Sequence, residues 1–395
     1  MKRFFKNLAG GFAAYCVVIM GFVVYGVRNL PNQYSLAAGG MAELPFFFTL
    51  GSEESVNTAE GAVYTYTARV EALGIVPVKD VTVSVSRRQY VNLGGDIIGI
   101  KMYTDGVIVV NVDKVATAGG SVSPGTKAGL RVGDIITKVN GRPLNSSEAL
   151  SALIEKSGGR DMVLDVTRGT GEYQFTLHPA LSQQGVYRAG VWVRDSSAGV
   201  GTVTFTRPET GTFAALGHAV CDVDTGELMP LAKGAVVEAG IKGIYKGSRD
   251  GPGELCGVFN GTSVGTITRN TDEGLFGEFS ESRYFGGQTV PVGMADEVKT
   301  GKAYIIATLD NGGPRAYSAE ITKIYSAADT ANRNMVITVT DDELIAKAGG
   351  IVQGMSGSPI VQNGMLMGAI THVFVNDPTK GYGIFAENMI EDTAA

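Results

Sequence analysis

The sequence predicts a mainly β protein that follows one N-terminal transmembrane helix. Three observations carry this. Glycine is abundant, 55 of 395 residues, and supplies the backbone angles that tight turns between short strands need. Only 18% of the residues are charged against 44% apolar, a balance suited to cores and poor for long solvated helices. Alternation of apolar and polar residues recurs along most of the chain, as in the run from Val63 to Glu71.

The N-terminus reads Met1-Lys2-Arg3-Phe4-Phe5-Lys6 and is followed by an uncharged stretch from Asn7 to Val27. That stretch has about the length a helix needs to cross a bilayer. The basic residues precede it, so the positive-inside rule places the N-terminus in the cytoplasm and the rest of the chain outside. A cleaved signal peptide would be shorter and would end in an A-x-A-like site, for which Ala37-Ala38-Gly39-Gly40 is a weak candidate. Residues 1–28 are therefore expected to form a tail and anchor. Residues 29–95 are expected to be a strand-bearing linker, with an exposed polar segment from Gly51 to Gly61.

Charge and cysteine content exclude several classes. The net charge is −6, and no basic cluster stands beyond the first six residues, so a nucleic-acid partner is not expected. No CxxC or HExxH spacing occurs, and the three histidines, His178, His218 and His372, are dispersed, so neither a metal nor another cofactor is expected. Cys16 lies in the anchor. Cys221 and Cys256 allow one disulfide but no framework.

Between 96 and 182 the pattern changes. Val107-Ile108-Val109-Val110 reads as a strand, and "SPGTKAGLRVGDIITKVNGRPLNSSEAL" reads as a helical turn, a Gly stop, a strand, an Asn-Gly turn and a Ser-capped helix. Leu150, Leu153 and Ile154 line one face of that helix. This segment resembles a PDZ domain, a β fold with two helices. The resemblance implies binding of an extended peptide at a sheet edge, with a terminal carboxylate held by a glycine-containing loop. The matching loop is Ile98-Gly99-Ile100-Lys101.

Residues 183–395 are again rich in strands and turns, as expected of an antiparallel barrel or sandwich. They hold the strongest chemical signal, Gly354-Met355-Ser356-Gly357-Ser358-Pro359. A serine nucleophile needs a tight turn that exposes its hydroxyl and leaves backbone N–H groups free for an oxyanion; those of Gly354 and Ser356 are the natural pair. Such a run is by itself only a turn in most proteins, so a base must accompany it. His218, flanked by small residues in Ala214-Ala215-Leu216-Gly217-His218-Ala219, is the better candidate and His372 the fallback. Asp341, Asp342, Asp222, Asp224 and Asp310 are all candidates for the group that orients the imidazole.

"LGHAVCDVDTGELMP" and "GGIVQGMSGSPIVQNGMLMGAITHVFVNDPTKGYGIFAENM", behind a PDZ-like segment and a single anchor, resemble the SpoIVB peptidase family (stage IV sporulation protein B). The resemblance implies a chymotrypsin-like β-barrel serine endopeptidase. His218 would be its base, Asp341 its acid and Ser356 its nucleophile. It also implies a role in sporulation signalling: the enzyme, anchored in the forespore membrane with its catalytic domain facing the intermembrane space, cleaves itself near the N-terminus, with Gly51–Gly61 the expected place and other copies of the chain as partners, and cleaves a regulatory membrane protein there. That cut releases an intramembrane protease that processes pro-sigma-K. Two other readings are a PDZ signalling protein with a degenerate peptidase domain and a general envelope protease of the HtrA type. The intact Ser356 and His218 motifs argue against the first. The second carries its protease ahead of the PDZ domain, the reverse of the order here.

Overall fold

A computed structural model describes residues 2–37, 44–45, 47–51, 55–58, 63–281, 286–325 and 332–394. The helix expected at the N-terminus forms as α1 (Lys2–Asn29). The transmembrane anchor is not found: among the described residues no helix is long and apolar enough to cross a membrane. The side chains of residues 2–14, which hold part of the expected span, lie outside the described residues. The end of α1 whose side chains are described touches protein on one face only, while Val17, Val18, Met20, Val24 and Val27 are exposed. Phe22 stacks near Phe47, Tyr25 near Phe48, and a side chain at Gly26 would collide with Val78. These contacts join α1 to a small sheet that includes Gln33–Ala37, Val63–Ala72 and Val76–Ser86. Most of the expected Gly51–Gly61 cleavage segment lies outside the described residues.

The rest of the chain builds two antiparallel barrels. The strands of the first are β1 (Ile97–Val112), β2 (Val191–Thr206), β3 (Thr212–Ala215), β4 (Leu231–Tyr245), β5 (Glu254–Thr271) and β6 (Gly274–Phe279). The pairing runs β1–β4–β5–β6–β3–β2 and returns to β1, so the sheet closes on itself. Its core is apolar: Ile98, Ile100, Val203, Phe213, Val236 and Leu275 are all buried. The second barrel is closed from β7 (Gly301–Ala307), β8 (Arg315–Ile324), β9 (Met335–Val339), β10 (Pro359–Gln362), β11 (Met365–Phe374) and β12 (Asp377–Phe385). Closure removes the unpaired edges that a Gly-rich, β-branched chain would otherwise expose.

The PDZ fold sits inside the first barrel's sequence, between β1 and β2. It contains α2 (Pro124–Ala128), α3 (Ser147–Lys156) and strands Ile135–Val139, Met162–Arg168 and Gly171–Leu177. Ser146 caps α3, accepting from the N–H of Ala149, as the sequence predicts. Both β1 and β2 run through the two domains without a break. Ile97–Met102 pairs with Ser197–Thr202 in the barrel, and Ile108–Val112 pairs with Val191–Arg194 in the PDZ domain. The expected breaks at 96 and 183 therefore do not separate two independent sheets, because the first barrel recruits its leading strand from before the PDZ domain.

Candidate active site

The nucleophile turn joins α4 (Asp342–Ala348) to β10 and rests on β2 of the other barrel. Met355 is fully buried in the second core while Ser356 is part-exposed. Two glycines make the turn feasible. Gly354 and Gly357 have φ of 96° and 93°, a region that side chains disfavour. A Cβ on Gly357 would lie 2.0 Å from the carbonyl oxygen of Thr202. That close approach lets β2 grip the turn. The N–H of Thr202 donates to the carbonyl of Ser356 (2.9 Å), and the hydroxyls of Thr202 and Thr204 donate to the carbonyls of Gly354 and Gly357 (both 2.8 Å).

The N–H groups of the turn divide sharply. Those of Gln353, Met355, Gly357 and Ser358 donate to the carbonyls of Gly253, Val352, Ile370 and Met355. Those of Gly354 and Ser356, the expected oxyanion pair, donate to no protein group among the described residues. Ser356 is part-exposed, so these N–H groups are open to water or to a bound group.

His218 lies just beyond β3. Leu216 and Gly217 both have φ of 69°, and this left-handed pair swings the chain off the strand. Leu216 is a strained choice there, as residues beside functional groups often are. The turn abuts the nucleophile from the other side. A Cβ on Gly217 would be 3.0 Å from Thr371 Cγ2, and the Ser356 hydroxyl donates to the carbonyl of Thr371 at 2.8 Å. Thr371 thus lies between the candidate base and the candidate nucleophile.

His218 Nδ1 is 2.7 Å from the carbonyl oxygen of Ala219. A carbonyl cannot donate, so Nδ1 carries the proton and Nε2 keeps its lone pair. That is the tautomer a general base needs. Burial holds the His218 pKa below the ordinary histidine range, opposed by the bond to Ala219. His372, on β11, packs against it with ring centroids 4.8 Å apart. Burial, then His218, then Arg333 push the His372 pKa down to about 4. His372 Nδ1 is buried without a partner.

The other candidates are placed elsewhere. Asp341 caps α4: one carboxylate oxygen accepts from the N–H groups of Glu343 and Leu344 and the other from Ser318. Asp342 opens the same helix. Asp222 and Asp224 share Arg194 at 2.6 Å each, and Asp310 meets Arg315 and Lys347. Among the described residues no carboxylate bonds to His218. His178 pairs with Asp161 on the PDZ surface. Cys221 and Cys256 are free thiols, so the disulfide the sequence allows is not formed. No group of His, Cys, Asp and Glu among the described residues could hold a metal ion.

The expected peptide loop is displaced. Ile98, Gly99, Ile100 and Lys101 form the middle of β1, paired with β2 on one side and β4 on the other. With both edges in use they cannot take up a peptide strand. The PDZ sheet has two free edges among the described residues: Gly171–Leu177, which pairs only with Met162–Arg168, and Val191–Arg194, which pairs only with β1. α3 is tied to both ends of it. Arg188 reaches Glu155 at 3.1 Å, and Asp195 accepts from the N–H and hydroxyl of Ser147.

Sequence reasoning missed Thr202, Thr204, Thr371 and the Ala219 carbonyl. The threonines look like ordinary strand residues, and a carbonyl leaves no mark in a sequence.

A family model described as SpoIVB peptidase S55 matches residues 185–390, and a PDZ-domain model matches residues 115–168. Serine protease HTRA3 of Rattus norvegicus is 43% identical over 58 residues, 14% of this chain and 12% of that protein. The chain thus spans only a small part of that curated relative. Among solved structures, the PDZ domain of an SdrC-like protein from Listeria monocytogenes matches 22% of this chain and 87% of its own, at 25% identity and a TM-score of 0.19. The HtrA-type protease AlgW with decapeptide matches 51% of this chain and 53% of its own, at 15% identity and a TM-score of 0.31.

Proposed function

This chain belongs to the SpoIVB peptidase S55 family and is a serine peptidase, and we propose that it serves sporulation signalling by cutting itself and a regulatory membrane protein. The second cut would release an intramembrane protease that processes pro-sigma-K. The observation that carries the catalytic part is the open N–H pair of Gly354 and Ser356, with His218 on the turn that abuts Thr371, the acceptor of the Ser356 hydroxyl.

In the proposed reaction the Ser356 hydroxyl turns from the Thr371 carbonyl toward Nε2 of His218 and attacks the scissile carbonyl. His218 takes the proton. The oxyanion is held by the N–H groups of Gly354 and Ser356. His218 then gives the proton to the leaving amine, and water repeats the sequence on the acyl-enzyme. The family resemblance names Asp341 as the orienting acid. Its carboxylate is engaged at α4, so the acceptor that faces Nδ1 here is the Ala219 carbonyl. The free edge of Val191–Arg194 is the proposed seat for an extended peptide, of the substrate or of another copy.

The test is self-cleavage by purified full-length protein. Wild type is expected to yield a new N-terminus between residues 51 and 63, and Ser356→Ala to yield none. Equal self-cleavage by Ser356→Ala would sink the reading.

A further inference from the structure

We propose that Asn270 is the residue that positions the catalytic base, through the peptide plane between Ala219 and Val220. This rests on the reading of His218 as the base.

Asn270 lies at the end of β5, one residue before the hairpin into β6. Its amide makes three bonds to the loop that carries His218. Oδ1 accepts from the N–H of Val220 (2.8 Å), and Nδ2 donates to the carbonyls of Val220 (2.8 Å) and Met229 (3.0 Å). The N–H of Val220 and the C=O of Ala219 belong to one peptide unit, which is planar and trans. The two groups point in opposite directions. Fixing the N–H on Asn270 therefore fixes the carbonyl on the opposite side, where it meets Nδ1 of His218 at 2.7 Å. The bonds form a chain from His218 Nδ1–H to the Ala219 carbonyl, and from the Val220 N–H to Asn270 Oδ1. Each bond in such a chain polarises the next.

The hairpin itself closes the other flank. A Cβ on Gly274 would stand 2.7 Å from the Ala215 carbonyl and 3.3 Å from the Gly217 N. The loop from 215 to 220 is thus clamped at both ends by one hairpin. Only a side-chain amide of this length suits the clamp. It must accept from one backbone group while donating to two carbonyls, which a carboxylate cannot do.

The inference is tested on full-length protein labelled with 15N-histidine. The three ring signals are assigned with His178→Gln and His372→Gln. Wild type is expected to show His218 as a single Nδ1–H tautomer. Asn270→Asp is expected to mix the tautomers while the signal of the remote His178 holds. Its kcat for cutting a Ser356→Ala copy in trans should fall roughly 10²-fold with KM little changed, the scale of a misplaced catalytic group. An Nε2–H tautomer in wild type overturns the proposal without any variant. So does a folded Asn270→Asp with an unchanged His218 signal and kcat. The ring signals do not depend on activity, so a wild-type protein that cuts nothing defeats the peptidase reading while this measurement still decides on Asn270.

Discussion

The imidazole rings of His218 and His372 lie 4.8 Å apart and are tilted by 36°. Burial is the main cause of the lowered His218 pKa, and the packed ring of His372 is expected to contribute to it. A base must be neutral to accept a proton, so a lowered pKa extends activity toward acid. The acid limb of kcat/KM is expected below the unperturbed histidine value of about 6.5. His372→Ala should admit water and move the limb upward, while His372→Phe should leave it in place. A limb that moves equally in both variants would refute that contribution.

Asp341 separates two accounts of the site. As the cap of α4 it is replaceable by Asn in its bonds to Glu343 and Leu344, at the loss of the bond from Ser318, whereas Ala loses the cap as well at a cost of about 1 kcal/mol. Asp341→Asn is therefore expected to keep self-cleavage within a few-fold of wild type, and Asp341→Ala to lower the melting temperature. A loss approaching ~10⁴ in kcat for the Asn variant would return the acid role to Asp341.

The grip of β2 on the nucleophile turn is open to the same kind of test. Thr202→Val keeps the shape but leaves the buried carbonyl of Gly354 without its donor, a cost of about 1–3 kcal/mol. Gly357→Ala places a methyl 2.0 Å from the Thr202 carbonyl and should do far more harm. Urea midpoints and self-cleavage rates would show both, with Gly357→Ala the more severe. An active, stable Gly357→Ala would mean that the turn is not held as described.

Asp296 makes a separate prediction about pH and stability. Burial, then the neighbouring charge of Glu297, raise its pKa to about 6. Its Oδ1 and the hydroxyl of Tyr34 are both buried without partners. The folded chain holds the Asp296 proton to higher pH than the unfolded chain does. This group's contribution is thus fully favourable below about pH 4 and is lost as pH rises through 6. Asp296→Asn should raise the melting temperature above pH 6 and change it little near pH 4. Each kcal/mol regained raises it by roughly 2–4 °C in a domain of this size. A gain confined to acid would contradict the assignment.

Much of this was legible in the sequence, and what was not has physical reasons. Glycines around Ser356 marked the turn because no other residue tolerates its φ angles. Ser146 marked the start of α3 for the same kind of local reason. The Ile98–Lys101 segment misled because its apolar-Gly-apolar pattern suits both a loop and a crowded barrel strand. Which one forms depends on β2 and β4, distant in sequence. The insertion of the PDZ domain between β1 and β2 was hidden likewise, since long-range pairing leaves no local periodicity. Asp341, in its Val-Thr-Asp run, looked like a family acid. Locally it is equally a helix cap, and the structure uses it as one.

The central claim is that Ser356 is an activated nucleophile facing an open oxyanion site. It is tested most directly by exposing the full-length protein to a fluorophosphonate, which reacts with activated serines, and mapping the adduct by mass spectrometry. One adduct per chain is predicted, on Ser356, absent from Ser356→Ala and strongly reduced in His218→Ala. No adduct on wild type, or one that persists in Ser356→Ala, would contradict the account.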